Sequence, residues 1–203
     1  MRAHYLFPVL FLLTACTGTH IVQSWRDPDV TVQQGSVKKM LVIALTHNED
    51  TRHAVEDEMV KQFKGRAVAS HAYLGALPTT MDVDPFVTRL KGDSIDAMMV
   101  MRLVKVDKEQ TYVPGSYPTY YEDPFGFYGY AVPLYSDPGY VRTDMTYQVE
   151  SNFYSVERRK LVWSGISSTV DPPDIITTTD EIVVAIRKKM QEEGFLTPPA
   201  GKP

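Results

Sequence analysis

One cysteine, Cys16, occurs in the 203 residues. A lone cysteine excludes an internal disulfide framework and any zinc site built on several thiolates. Long apolar runs are missing too: Leu6 to Leu13 spans eight residues and includes Pro8, whereas a membrane-crossing helix needs about 20. Positive charge is not in excess. With 21 Lys and Arg against 25 Asp and Glu, the formal charge is -4, so the chain as a whole is not steered to polyanions, and nucleic acid is not expected as a partner. No G-x-S-x-G elbow is present, which removes the commonest serine-nucleophile signature. Gly35-Ser36-Val37-Lys38 lacks the glycine spacing of a phosphate loop and precedes a strand pattern, so no nucleotide and no cofactor is expected. Internal repeats are absent.

The first residues follow an export pattern: basic Met1-Arg2, the apolar run, then small Thr14 and Ala15 before the cysteine. Leu13-Thr14-Ala15-Cys16 resembles the lipobox of bacterial lipoproteins. The resemblance implies cleavage between Ala15 and Cys16, lipidation of Cys16 and a mature chain that begins there. Removal of residues 1–15 takes away one arginine and moves the formal charge to -5. Two or more acyl chains, at about 0.8 kcal/mol per buried CH2, hold a protein stably on a membrane. Thr17 in place of Asp after the cysteine implies, in a Gram-negative host, an outer-membrane location facing the periplasm.

Residues 16–36 are polar and without a sustained period, and read as a lipidated tether in which Trp25 docks on the domain. Residues 37–196 read as one domain. Met40 to Leu45 is a continuous apolar run, as in a strand covered on both faces. Val55, Met59 and Phe63 recur at helical spacing behind a cap at Thr46 or Asn48. A second strand is expected at Ala67 to Tyr73, a helix capped by Asp84, and a third strand from Ile95 to Val106. Met145, Tyr147, Val149 and Phe153 share one face of a fourth strand. Glu157 to Lys160 turn into a fifth from Leu161 to Val170, and a last helix opens with a capping box at Thr178 and Glu181. Residues 197–203 read as a flexible tail. The order β-α-β-α-β-insertion-β-β-α predicts an α/β sandwich with a mixed sheet of about five strands.

The insertion, residues 112–140, holds eight of the twelve tyrosines, two phenylalanines, five prolines and four glycines. Tyr112, Tyr117, Tyr120, Tyr121, Phe125, Phe127, Tyr128, Tyr130, Tyr135 and Tyr140 form a candidate interaction surface, because tyrosine offers broad amphipathic contact at small entropic cost. Base stacking would also need cations, and none occurs between Lys108 and Arg142. That leaves another envelope protein as the first partner and peptidoglycan as the second. His47, Glu49, Asp50, His53, Glu56 and Asp57 follow the first strand, where open α/β sheets bind ligands. A helix dipole stabilises such first-turn carboxylates without any ligand. No metal and no catalytic residue is therefore assigned, His47 and His53 being the weak metal candidates of an alternative metal-dependent enzyme. His71 reads as a half-buried packing residue.

The lipobox, Trp25-Arg26-Asp27-Pro28, the KKMLVIAL strand before AVEDEMV, IDAMMVMRLV, the aromatic insertion and LVWSG are together similar to a family of uncharacterised proteobacterial envelope lipoproteins. More distantly, the element order resembles curli-secretion lipoproteins and lipoprotein activators of penicillin-binding proteins. These likenesses imply binding to envelope proteins, not catalysis.

Overall fold

The computed structural model describes residues 18–78, 80, 82–113 and 139–199. At its centre is β3 (Met40–Leu45), whose side chains alternate between two hydrophobic clusters. Met40, Val42 and Ala44 join one, and Leu41 and Ile43 the other. A strand buried on both faces needs an apolar residue at every position, which explains the unbroken MLVIAL. In parallel with β3 run β4 (Ala67–Ala69) and β5 (Ala97–Val113). Antiparallel pairing then takes over, from β5 to β6 (Tyr140–Ser155), to β7 (Lys160–Val170) and to β1 (His20–Arg26). The result is a six-stranded mixed sheet of order β1-β7-β6-β5-β3-β4. A separate parallel pair joins β2 (Val32–Gln33) to β8 (Leu196–Thr197).

Helices α1 (Glu49–Gln62) and α4 (Ile175–Glu192) pack on each other and cover one face of the sheet. Asn48 caps α1, its Oδ1 accepting from the Thr51 N–H at 2.8 Å. On the opposite face, α3 (Val83–Gly92) seals Leu41 and Ile43 with Val87 and Leu90, and Tyr73 of the short α2 (Ser70–Leu74) packs beside them. The architecture is thus an α/β sandwich on a mixed sheet, with one strand more than the sequence pattern indicates.

That extra strand corrects the reading of residues 16–36 as a tether. Residues 20–26 are β1, paired with β7 from His20↔Ser168 to Arg26↔Trp163. A bulge between Ile21 and Gln23 breaks the alternation that would have revealed it. The strand is also held by side chains. Thr19 Oγ1 donates to Glu181 Oε2 at 2.8 Å, and the Ser24 hydroxyl donates to Glu193. Trp25 sits in this strand, yet its side chain is 50% exposed, so the backbone docks rather than the indole. At the other end, Thr197 is no tail residue: it pairs with Gln33, and its carbonyl accepts from the Gln34 N–H at 2.8 Å. Three further expectations shift, the first being the cap of α3, which is Asp82 while Asp84 lies in its first turn. The second strand stops at Ala69 and Ser70 begins α2. Asp174, not Thr178, caps α4, accepting from the Ile176 and Thr177 N–H groups at 2.8 Å.

Trp163 is fully buried where β6, β7 and α4 meet. Phe153 meets its ring edge-on at a centroid distance of 5.9 Å, and its Nε1 donates to Glu193 Oε2 at 3.0 Å. The indole lies over Gly165, two residues along the same strand, and a Cβ there would fall 2.8 Å from Trp163 Cζ3. This close approach accounts for the W-S-G order. Gly165→Ala is expected to destabilise the protein by about 1–3 kcal/mol through overpacking. Urea unfolding would measure the loss, and an unchanged midpoint would contradict the packing described.

Candidate functional site

The acid and histidine group after β3 becomes a polar cluster between α1, β3 and α2. Its centre is Glu56, fully buried together with Arg52 and Ser70. Glu56 Oε1 accepts from the Ala44 N–H at 3.0 Å, Arg52 Nε at 3.2 Å and the Ser70 hydroxyl at 2.6 Å. Oε2 accepts from the His71 N–H at 2.7 Å and faces His71 Nδ1 at 2.9 Å. Arg52 spends its other nitrogens on Glu49 Oε2, Ser70 Oγ and the Gly75 carbonyl. His71 Nε2 lies 3.3 Å from Asp57 Oδ1, and the His53 ring stacks on His71 at 4.2 Å. The structure therefore brings together Glu49, His53, Glu56 and Asp57, and adds Arg52, Ser70 and His71. His47 is exposed and has no contact of this kind.

Sequence reading placed His71 on a strand as a packing residue; it is instead a partner of Glu56 at the start of α2. Arg52 was not singled out at all. Its signal was local: Arg52 and Glu56 are four residues apart and share a helix face. Among the described residues, no three of His, Cys, Asp and Glu converge to hold a metal ion. Burial pushes the Glu56 carboxyl up, but the bonds from Ser70, Ala44 and His71 more than offset that and hold it below its ordinary value. A carboxylate kept ionised and occupied by internal donors is poorly suited to act as a base. What it does is tie the β3 backbone to α1 and α2.

The second region begins where β5 outlasts its neighbours. β3 pairs with β5 as far as Arg102, and β7 pairs with β6 only from Thr146. β5 and β6 stay together to Val113↔Tyr140. The six pairs from Lys108↔Met145 onward make a two-stranded ribbon, about 20 Å long at about 3.3 Å per residue. A bulge between Leu103 and Lys105 sets its faces. Leu103, Val106, Lys108, Gln110 and Tyr112 share one side with Val141, Thr143, Met145 and Tyr147, continuing the side that α1 and α4 cover lower down. Asp107, Glu109, Thr111, Val113, Tyr140, Arg142 and Asp144 occupy the other, where Arg142 Nε donates to Asp144 Oδ1 at 2.6 Å. Tyr112 and Val141 are each 59% exposed, and Tyr140 is 62% exposed.

Tyr112, Val113 and Tyr140 are thus strand residues, a correction to the insertion bounds of 112–140. The charged run before Tyr112 hid the strand, because solvent reaches both faces and no apolar alternation is required. Tyr117, Tyr120, Tyr121, Phe125, Phe127, Tyr128, Tyr130 and Tyr135 lie outside the described residues, as do Ala15 and Cys16. No helix among the described residues is long and apolar enough to cross a membrane.

No protein-family model matches the chain, and no curated protein matches it. Among solved structures, the chain is similar to a point variant of the PelC dodecamer from Paraburkholderia phytofirmans. That match has 10% identity and a TM-score of 0.43, and covers 81% of this chain and 96% of that one. A second PelC dodecamer from the same organism matches at 9% identity and TM-score 0.41, over 83% and 94% of the two chains. Lipoprotein GNA1162 from Neisseria meningitidis matches at 10% identity and TM-score 0.35, over 76% and 98%.

Glu56→Gln would leave Arg52 buried with only the exposed Glu49 as counter-charge. The expected cost at neutral pH is about 3–5 kcal/mol, as for other buried pairs broken on one side. Because the folded-state carboxyl titrates below its ordinary value, the stability it supplies is complete above the ordinary carboxylate range. It is lost as pH falls through the lower folded value. Denaturation from pH 7 to 3 should therefore show a shallower acid decline in Glu56→Gln than in the parent chain, and parallel profiles would refute the assignment.

Proposed function

We propose that the chain is a lipid-anchored, non-catalytic lipoprotein of the bacterial envelope, acting as an interaction or assembly factor through the β5–β6 ribbon. The observation that carries this reading is the ribbon itself, which extends beyond the six-stranded sheet and exposes Tyr112, Tyr140 and Val141 at its end. Two strands that, over the ribbon, pair with no third strand among the described residues, with exposed aromatic and aliphatic side chains at their end, suit docking against a protein, either face-on or by strand addition. The aromatic segment 114–138 joins the two strands of the ribbon in sequence.

The position of the amino-terminal strand supports the same reading. Thr19 lies beside Thr169, which pairs with Tyr147 at the base of the ribbon. β1 runs antiparallel to β7, so the chain before Thr19 leaves the sheet at the ribbon end. Only four residue steps separate Cys16 from His20, a reach of about 14 Å when fully extended. With β1 docked, an anchor at Cys16 holds the ribbon end of the domain close to the membrane and gives the interaction surface a fixed orientation. The buried donors around Glu56 support a structural role for that polar cluster.

A photo-crosslinking residue in place of Tyr112 should capture a specific envelope protein in cells. The double variant Val106→Ser with Val141→Ser should lose co-purification of that protein while changing stability by no more than about 0.5 kcal/mol per site, as exposed substitutions do. Retained co-purification would overturn the ribbon as the docking element. Separately, Cys16→Ala should release the protein from the membrane fraction with its melting temperature unchanged, and persistence in that fraction would overturn the lipid anchor.

A further inference from the structure

Opposite the ribbon, at the start of β3, a cavity of about 460 Å³ opens between the sheet and helices α1 and α4. That volume falls within the range of small-molecule sites, about 300–1,000 Å³. Val32, Val37, Phe63, Phe153 and Leu196 are the partly exposed apolar residues of its wall, and the buried Met40, Met99 and Met190 lie behind them. Unbranched thioether side chains at the back of the wall reshape at little cost. β2 and β8 border the opening, held together by the Val32 N–H to Phe195 carbonyl bond at 2.7 Å and the Gln34 N–H to Thr197 carbonyl bond at 2.8 Å.

The rim carries the opposite character. Lys64 and Arg66 from the turn after α1, Arg158 from the β6–β7 turn and Arg187 from α4 all border the cavity. Among the described residues, none of the four forms an ion pair. Two carboxylates also border it, Asp96 and Glu157. Asp96 is committed to the backbone, accepting from the Lys38 N–H at 2.9 Å and the Lys39 N–H at 3.3 Å. The overall negative charge of the chain argues against long-range attraction of anions, but screening limits that field to about 10 Å. Within that range the rim, with four cations, is locally positive.

We propose that this cavity binds a single-chain anionic amphiphile, its hydrocarbon against Val32, Val37, Phe63, Phe153 and Leu196 and its carboxylate or phosphate at the cationic rim. A neutral apolar ligand would leave the rim cations without a partner, and a hydrophilic anion would leave the wall without a filling. Only a molecule with both parts matches both surfaces. The site is independent of the ribbon and lies at the other end of the sheet, so either can fail without the other.

The test uses the full chain carrying Cys16→Ala, so that no acyl chain of its own competes, in calorimetric titration below the micellar concentration of each probe. Palmitate and lysophosphatidylglycerol distinguish a carboxylate from a phosphate head, and a trimethylammonium amphiphile of matched chain length reverses the charge. One anionic molecule per chain is expected, bound at least about tenfold more tightly than the cationic analogue, which corresponds to about 1.4 kcal/mol. Arg66→Glu with Arg158→Glu should remove that preference while the melting temperature stays unchanged. Ile186→Trp should block binding by filling the cavity, and the exposed arginine pair keeps the test decisive if that core variant fails to fold. No saturable binding of either anionic probe, or equal affinity for the cationic one, would overturn the proposal.

Discussion

Strand β5 is seventeen residues long, and its parallel partner β3 is six. Much else in the molecule follows from that mismatch. The first residues of β5 are locked between β3 and β6 and share the double-sided core, so they are apolar: Ala97, Met98, Met99, Val100, Met101. Beyond Arg102 only β6 accompanies the strand, and the composition changes to Lys, Asp, Glu, Gln and Thr with an apolar residue at intervals. β5 is also where the sheet changes from parallel to antiparallel order. A parallel crossover requires helices against the sheet, whereas a hairpin does not, so the helix-covered half ends where the ribbon begins.

Polar groups complete what the apolar core starts. Glu56 receives a main-chain donor from β3 and two groups from α2, and so joins α1, β3 and α2 near the end of β3. Glu193 does a similar job at the opposite end, accepting from Ser24 on β1 and Trp163 on β7. Burial raises its carboxyl, and the Ser24, Trp163 and Lys189 contacts lower it further than that, leaving it below its ordinary value. Both carboxylates are ionised joints between elements distant in sequence. Each is effective because a charge removed from water must be met by several donors at once, which holds those donors in place.

The two ends of the sheet differ in kind. At one, the ribbon exposes Tyr112, Tyr140 and Val141 near the point where the amino-terminal chain leaves the domain. At the other, an apolar cavity lies beneath a cationic rim and the β2–β8 pair.

Several features were legible in the residues alone because their causes are local. MLVIAL declared a doubly covered strand, Asn48 a helix start, and Met145, Tyr147, Val149 and Phe153 one face of β6. The element order was enough for an α/β sandwich with a mixed sheet. Other features were settled only by tertiary contact. β1 is an edge strand with a bulge, so its pattern resembles a polar linker until β7 pairs with it. The far half of β5 has both faces in water, and nothing but β6 makes it a strand. Arg52 looks like a surface residue on an acidic helix until Ser70 and Gly75 fold over it. Periodicity records which side of an element is buried, and where burial is absent, interrupted or supplied by a distant polar partner, it has nothing to record.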